Sequence, residues 1–233
     1  MRAFVVCNGP SLNVTPLNRM RDEFVIAINR FDLLGLDWDP QWWVLSDIHP
    51  SDPWWDFSSL LQRKSNFLFR EMDRNLVDPF HNEWDGQFHK INNAFFFPRC
   101  EHIGGEYIPD RWHLPKPCEY GGGASVALQL AAHLGKSPIY LVGADLYKYR
   151  GPEDPDINHF HPEYCAYRRR KSTGEEVNTP EAWERLNDRL IHAHEVAQRS
   201  ASEMGIEILN ATVGGALDVY PRVDIRDVLA VVE

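Results

Sequence analysis

The chain has 233 residues, enough for one α/β domain with a sizeable core, and 43% of them are hydrophobic against 25% charged, an ordinary balance for a globular protein. With 34 acidic against 24 basic side chains the net charge is -10, which argues against a general nucleic-acid binder, so no nucleic-acid partner is expected. The four cysteines (Cys7, Cys100, Cys118, Cys165) lie far apart and form no C-x-x-C pair, so neither a zinc site nor a disulfide framework is expected. A reducing, cytoplasmic compartment is the simpler reading. No apolar stretch approaches the length of a membrane span, and Arg2-Ala3-Phe4-Val5-Val6 is too short for the apolar part of a signal peptide.

Taken in order, Arg2–Cys7 reads as a first strand that opens at once into Asn8-Gly9-Pro10-Ser11-Leu12. Phe24–Ile28 reads as a second, ended by Asn29-Arg30-Phe31, and Trp42–Leu45 as a third, ended by Ser46-Asp47. These runs are continuously apolar rather than alternating, which suits strands of a parallel sheet buried on both faces. Pro53–Arg63 suggests a helix with proline near its start, and Asn66–Arg70 a further strand. Residues 73–120 read as an irregular insertion with one strand at Phe95-Phe96-Phe97. Gly121-Gly122-Gly123-Ala124-Ser125 then reads as a glycine loop leading into a helix over Val126–Leu134 that Gly135 ends. Pro138–Val142 follows as a strong buried strand, ended by Gly143-Ala144-Asp145.

Residues 148–178 are polar and carry the basic run Arg168-Arg169-Arg170-Lys171, long enough for a functional loop or lid, although a solvated face is the simpler reading of the basic run itself. Pro180–Met204 is expected as one long helix with Thr179 as N-cap, Glu181 in the first turn and Gly205 as stop. Ile206–Leu209 reads as a late strand and Asp224–Val231 as a terminal helix. With no internal repeat, residues 1–233 are expected to form a single domain.

Chemistry concentrates at the ends of the apolar runs. Parallel strands would carry Asn8, Asn29, Asp47 and Asp145 to one edge of the sheet. Gly9 lets the backbone approach a ligand, Pro10 stiffens the turn, and Asn8 and Ser11 offer hydrogen-bonding side chains at a strand's carboxyl end. A plain strand-to-helix connection with Ser11 as N-cap is the competing reading. The block from Gly121 to Ser125 would present a helix N-terminus to a phosphate, and Gly123 and Ser125 are candidate nucleotide-binding residues. Asp37-Trp38-Asp39 and Asp154-Pro155-Asp156 have the spacing of cation-holding pairs but sit in Pro-flanked loops and read as surface turns. His192 and His194 lie two apart on a helix, facing different sides, and read as structural. Core packing explains most of the cluster Trp38, Trp42, Trp43, Trp54 and Trp55.

Three sets of residues together carry a family resemblance: Asn8-Gly9-Pro10-Ser11-Leu12, Asn29-Arg30-Phe31, and the block from Gly122 to Tyr147 with Leu134-Gly135, Ile139-Tyr140-Leu141 and Gly143-Ala144-Asp145-Leu146-Tyr147. The chain resembles the bacterial CMP-sialic-acid-dependent sialyltransferases that decorate lipooligosaccharide, and the wider motility-accessory-factor-like (domain of unknown function 115) glycosyltransferases. The tail from Asn210-Ala211-Thr212 to Pro221-Arg222-Val223-Asp224 is similar to endings in the wider group.

The resemblance implies an α/β, Rossmann-like, mainly parallel sheet with helices on both faces and a lid-like insertion. It implies binding of a CMP-sugar donor with no metal and no further cofactor, transfer to a glycan acceptor, and a histidine general base. Asn8, Gly9, Pro10, Ser11 and Asn29 fall on nucleotide-contacting positions, Asp47 near one, and Gly143 and Asp145 on the acidic strand end. Tyr147 falls on a tyrosine that serves the phosphate or departing CMP, with Tyr149 and Tyr164 as further candidates for that role. His161 and His159 both lie where the base is expected. Where the sialyltransferases carry a Thr-Ser pair before the helix, this chain has Gly122-Gly123, with Ser125 displaced. That leaves sialic acid, a related nonulosonate or another nucleotide-activated sugar open as the donor. A lipid-linked acceptor would bring the protein to a membrane periphery, and a homo-oligomer is compatible with the pattern. Two rivals stay open: an ATP- and Mg²⁺-dependent pterin pyrophosphokinase of the same broad domain group, and a nucleotide-binding module without catalysis.

Overall fold

Seven strands form one parallel sheet: β1 (Ala3–Val6), β2 (Val25–Ile28), β3 (Trp42–Leu45), β4 (Asn66–Arg70), β5 (Ala94–Phe97), β6 (Ile139–Val142) and β7 (Ile208–Asn210), in the spatial order β5-β4-β3-β2-β1-β6-β7. All six pairings are parallel, with registers such as Val5↔Ile26 and Val5↔Leu141. Among the described residues there are also three α-helices, α1 (Gly122–His133), α2 (Pro180–Glu203) and α3 (Ile225–Ala230), and three 3-10 turns, Pro10–Val14, Leu17–Met20 and Phe31–Leu34. The computed structural model describes residues 1–46, 62–70, 94–97, 111–112, 114–115, 120–146, 158–164 and 180–230. The helix expected over Pro53–Arg63 lies almost wholly outside them, as do Thr179, Asp154 and Asp156.

The continuous apolar runs have a direct structural cause. Successive side chains of a strand point to opposite faces, and here both faces are covered. Val5, Ile26, Ile28, Val44, Leu68, Ile139 and Leu141 join one core with Val126 and Leu128 of α1 and Val196 and Ala197 of α2. Phe4, Val6, Val25, Ala27, Trp43, Phe67 and Val142 join the other. That second face is closed by short 3-10 turns, through Leu12, Leu17, Met20 and Phe31, by Ile225 and Leu229 of α3, and by Phe160. The fold is therefore α/β and Rossmann-like, with helices on both faces: among the described residues, the long α1 and α2 on one side and the short α3 with the 3-10 turns on the other. Trp38 and Trp43 lie in the core, as expected; a fully buried aromatic of this kind contributes about 3 kcal/mol.

Two element boundaries differ from expectation by more than one residue, for identifiable reasons. The residues read as a glycine loop are the start of α1 itself, which begins at Gly122 instead of Val126. Gly121 takes φ +85°, and a Cβ there would lie 2.2 Å from the Ala193 Cβ of α2, so this glycine serves helix packing. The late strand starts at Ile208 rather than Ile206, because Gly205 takes φ +70° and the Ile206 amide turns back to bond Ala201 O at 2.8 Å. Gly135 takes φ +65° just past α1, as the C-terminal role predicts.

The strand order fixes where a ligand can enter. From β1 the chain moves towards β2 on one side, and from β6 towards β7 on the other. The chain leaves the carboxyl ends of β1 and β6 in opposite directions along the sheet, and it is in the crevice at such a switch point that open α/β sheets bind ligands.

Candidate functional site

The crevice is built from the loops after β1 and β6, which are stitched to each other. The Cys7 amide donates to Val142 O and the Gly9 amide to Gly143 O, both at 2.8 Å. A Cβ on Gly9 would lie 1.8 Å from Asp145 Oδ2 and 2.5 Å from Gly143 O, so only glycine fits. Gly143 takes φ +72° with the Leu12 side chain packed over it. Pro10 opens the 3-10 turn Pro10–Val14, and Ser11 is its second residue, not an N-cap: its hydroxyl donates to Asp145 Oδ2 at 2.7 Å and its amide to Oδ1 at 3.3 Å. Asp145 is only 2% exposed. Burial pushes its carboxyl pKa up, against the opposing pull of the two Ser11 bonds and of the Arg222 charge.

Asn8 is buried at the end of β1, and its Oδ1 has no hydrogen-bond partner. Such an unpaired buried oxygen costs roughly 1–3 kcal/mol. The Asn8 carbonyl accepts the Phe160 amide at 2.9 Å, while Asn13 Nδ2 donates to the Phe160 carbonyl at 3.0 Å. Phe160 is thus pinned from both sides with its ring in the core. Pinning it places His159 and His161 beside the turn that carries Asn8. His159 stacks on Tyr164, with centroids 3.9 Å apart and planes 12° apart. His161 Nδ1 accepts the Glu163 amide at 3.2 Å.

Along the same edge, Asn29 ends β2 in the left-handed region at φ 44°. Its amide donates to Val44 O at 2.9 Å, its carbonyl accepts Trp43 Nε1 at 2.6 Å, and its Oδ1 accepts the Ser46 amide at 3.4 Å. Asn29 therefore ties β2 to β3. Ser46 is buried, and its hydroxyl has no partner; it lies 2.8 Å from where a Cβ on Gly123 would sit, at the first turn of α1. The α1 N-terminus has no side-chain cap, leaving amide donors at that end. Ser125 is buried one turn in, and its hydroxyl accepts Gln129 Nε2 at 3.3 Å.

The structure thus brings Asn8, Gly9, Pro10, Ser11, Gly143, Asp145, His159, His161 and Tyr164 together at the β1–β6 crevice, and Asn29 and Gly123 next along the same edge. Asp47, Tyr147, Tyr149 and Arg168–Lys171 lie outside the described residues. Sequence reasoning placed no site residue in the loop after β7. Ala144 N donates to Thr212 Oγ1 at 3.0 Å, and the Ala216 amide to Asp145 O at 2.7 Å. Arg222 donates to the carbonyls of Thr212, Gly214, Gly215 and Leu217 at 2.6–3.2 Å, clamping that loop against Asp145. The available signal was Gly214-Gly215 a few residues after a strand, with an arginine further on.

Other sequence candidates have structural employment. Asp37 pairs with Arg21, and Asp39 accepts Arg63 Nη1 and the Lys64 amide, each at 2.9 Å. Among the described residues no group of three or more His, Cys, Asp or Glu side chains is placed to hold a metal. His192 lies at the surface near Glu195, and His194 is buried with Nδ1 2.9 Å from the Tyr220 hydroxyl, as structural roles predict. Among the described residues no helix is long and apolar enough to cross a membrane.

No protein-family model and no curated protein matches the chain. Solved structures with a related arrangement include the MAf glycosyltransferase from Magnetospirillum magneticum AMB-1, at 14% identity and a TM-score of 0.49, matched over 97% of this chain and 34% of that one. This chain therefore spans about a third of that protein. Another is the sialyltransferase CST-II, solved with a trisaccharide acceptor and CMP, at 12% identity and a TM-score of 0.49, matched over 90% of this chain and 80% of that one.

Proposed function

We propose that the chain is a glycosyltransferase that takes a CMP-activated sugar, sialic acid or a related nonulosonate, and transfers it to a hydroxyl of a glycan acceptor. The observation that carries this reading is Phe160, pinned on the Asn8 turn, which sets two histidines beside a strand end whose buried amide oxygen lacks a partner. The motif resemblance through Asn8-Gly9-Pro10-Ser11 and Gly143–Tyr147 supports CMP as the nucleotide.

In this reading the nucleotide lies in the β1–β6 crevice, with Asn8 Oδ1 accepting a donor of the base or ribose. The acceptor oxygen attacks the anomeric carbon as the bond to the phosphate oxygen breaks, and CMP leaves with the electron pair. The acceptor proton passes to a histidine. The Glu163 amide occupies the His161 Nδ1 lone pair, so neutral His161 carries its proton on Nε2 and serves as a donor. The base role then falls to His159, oriented by Tyr164. Tyr147 and Tyr164 hydroxyls and the α1 N-terminus meet the phosphate charge, so the reading needs no metal or cofactor. A lipid-linked acceptor would bring the protein to a membrane surface.

Incubation with CMP-sialic acid tests it. Release of CMP, transfer to a glycan, and a thermal shift with CMP are expected. Absence of all three contradicts the reading, and Mg²⁺-dependent ATP turnover on a pterin would replace it with the pyrophosphokinase alternative.

A further inference from the structure

We infer that Asp145 is a positioning residue: its carboxylate sets the turn that carries Asn8 and, through that turn, the segment that carries His159 and His161. The inference rests on the nucleotide-transferase reading for its purpose, but its geometry stands apart from any ligand.

Three observations carry it. Both carboxylate oxygens are already engaged, Oδ2 by the Ser11 hydroxyl at 2.7 Å and Oδ1 by the Ser11 amide at 3.3 Å. The residue is 2% exposed and roofed by Gly9, whose missing side chain is the only reason the roof fits, so no ligand atom reaches the carboxylate. Its backbone is held from the other side, by the Ala216 amide at 2.7 Å and by Gly215, where a Cβ would lie 2.9 Å from the Asp145 Cα. Asp145 is therefore fixed by the Arg222-clamped loop and in turn fixes Ser11. Ser11 lies three residues from Asn8, whose carbonyl holds Phe160. The chain of contacts runs from the carboxyl-terminal loop to the histidine segment without passing through a ligand.

Asparagine can reproduce this arrangement. Its Oδ1 accepts the Ser11 amide and its Nδ2 donates to the Ser11 hydroxyl, which reverses one bond and keeps both. Alanine cannot, and leaves the Ser11 amide without its acceptor. Amide hydrogen exchange on the ligand-free protein reads the geometry, and titration with CMP reads its consequence. In Asp145→Ala and in Ser11→Ala, exchange at Leu12 and Phe160 should rise at least tenfold, while Leu141 and Ile139, whose amide bonds Glu207 O at 2.8 Å, stay protected. CMP affinity should fall at least tenfold. Asp145→Asn should stay within about threefold of the wild type in both.

Equal acceleration at all four amides in Asp145→Ala would overturn the inference, because it reports global loosening. So would an Asp145→Asn protein with a protected turn and lost CMP binding, because the carboxylate charge would then act directly. A wild-type protein that ignores CMP contradicts the proposed function, and the exchange pattern still decides the positioning role.

Discussion

Gly9 and Asp145 touch so closely that a single methyl group cannot be placed between them: the Cβ position on Gly9 is 1.8 Å from Asp145 Oδ2. The obstruction on the other side, Gly143 O at 2.5 Å, is backbone and cannot swing away. Gly9→Ala should therefore destabilise the protein by about 3 kcal/mol or more, measured by urea unfolding. Gly35→Ala is the control. It meets nothing within 4 Å but sits at φ +62°, so its cost should stay at about 1–2 kcal/mol.

Asn8 and Asn29 look alike in sequence and should behave differently. Asn29 holds β2 to β3 through its backbone, its side chain and a left-handed φ, so Asn29→Ala should cost about 2 kcal/mol of stability. Asn8 carries an unsatisfied buried oxygen that already costs the ligand-free fold. Asn8→Ala should leave stability within about 1 kcal/mol of wild type while abolishing the CMP-induced thermal shift. Equal destabilisation by both would contradict this division.

How far such roles can be read from sequence depends on their physical origin. The continuous runs at Val25–Ile28, Trp42–Leu45 and Ile139–Val142 announce doubly buried parallel strands, because each must satisfy two cores at once. The crevice follows, since parallel strands put Asn8, Asn29 and Asp145 on one edge. That Ser11 and Asp145 spend their polar atoms on each other is invisible in sequence, where both look like free ligand contacts. The Arg222 clamp is equally hidden, because its partners are backbone carbonyls that carry no residue signature. Glycine in the Gly121–Gly123 block suggested a loop, and the closeness of α2 shows why a helix start can need the same residue.

Acid should weaken the packing of α2. Burial lowers the His194 pKa from 6.5 to about 4, so the folded state keeps this ring neutral while the unfolded chain protonates it near pH 6.5. Between these values the unfolded state binds more protons, and stability falls as pH drops from about 6.5 to about 4 and is fully present above that window. At about 1.4 kcal/mol per unit, the loss attributable to His194 should approach 3 kcal/mol. The urea-unfolding free energy of wild type minus that of His194→Asn, measured from pH 7.5 to 4, should decline through this window. A flat difference would contradict it.

Cys7 should be chemically silent in the native protein. Burial, with the nearby Asp145 charge, pushes its thiol up to about 12. At pH 8 the thiolate fraction is then about one in ten thousand, and the side chain is shielded as well. Peptide mapping after iodoacetamide treatment should find Cys7 unmodified until urea is added. Ready labelling of the folded protein would show that the end of β1 is open.

Replacing His159 and His161 together by alanine should abolish turnover of CMP-sialic acid and leave CMP affinity within a few fold, because neither ring is needed to hold the nucleotide. Turnover that survives the double substitution would remove histidine base catalysis from the account.

The most direct measurement is a crystal structure of the protein with CMP. The account predicts density for the nucleotide at the carboxyl ends of β1 and β6, with a donor of the base or ribose within hydrogen-bond distance of Asn8 Oδ1 and the segment 158–164 beside the phosphate. CMP bound elsewhere on the molecule, or an empty crevice at saturating CMP, would contradict it.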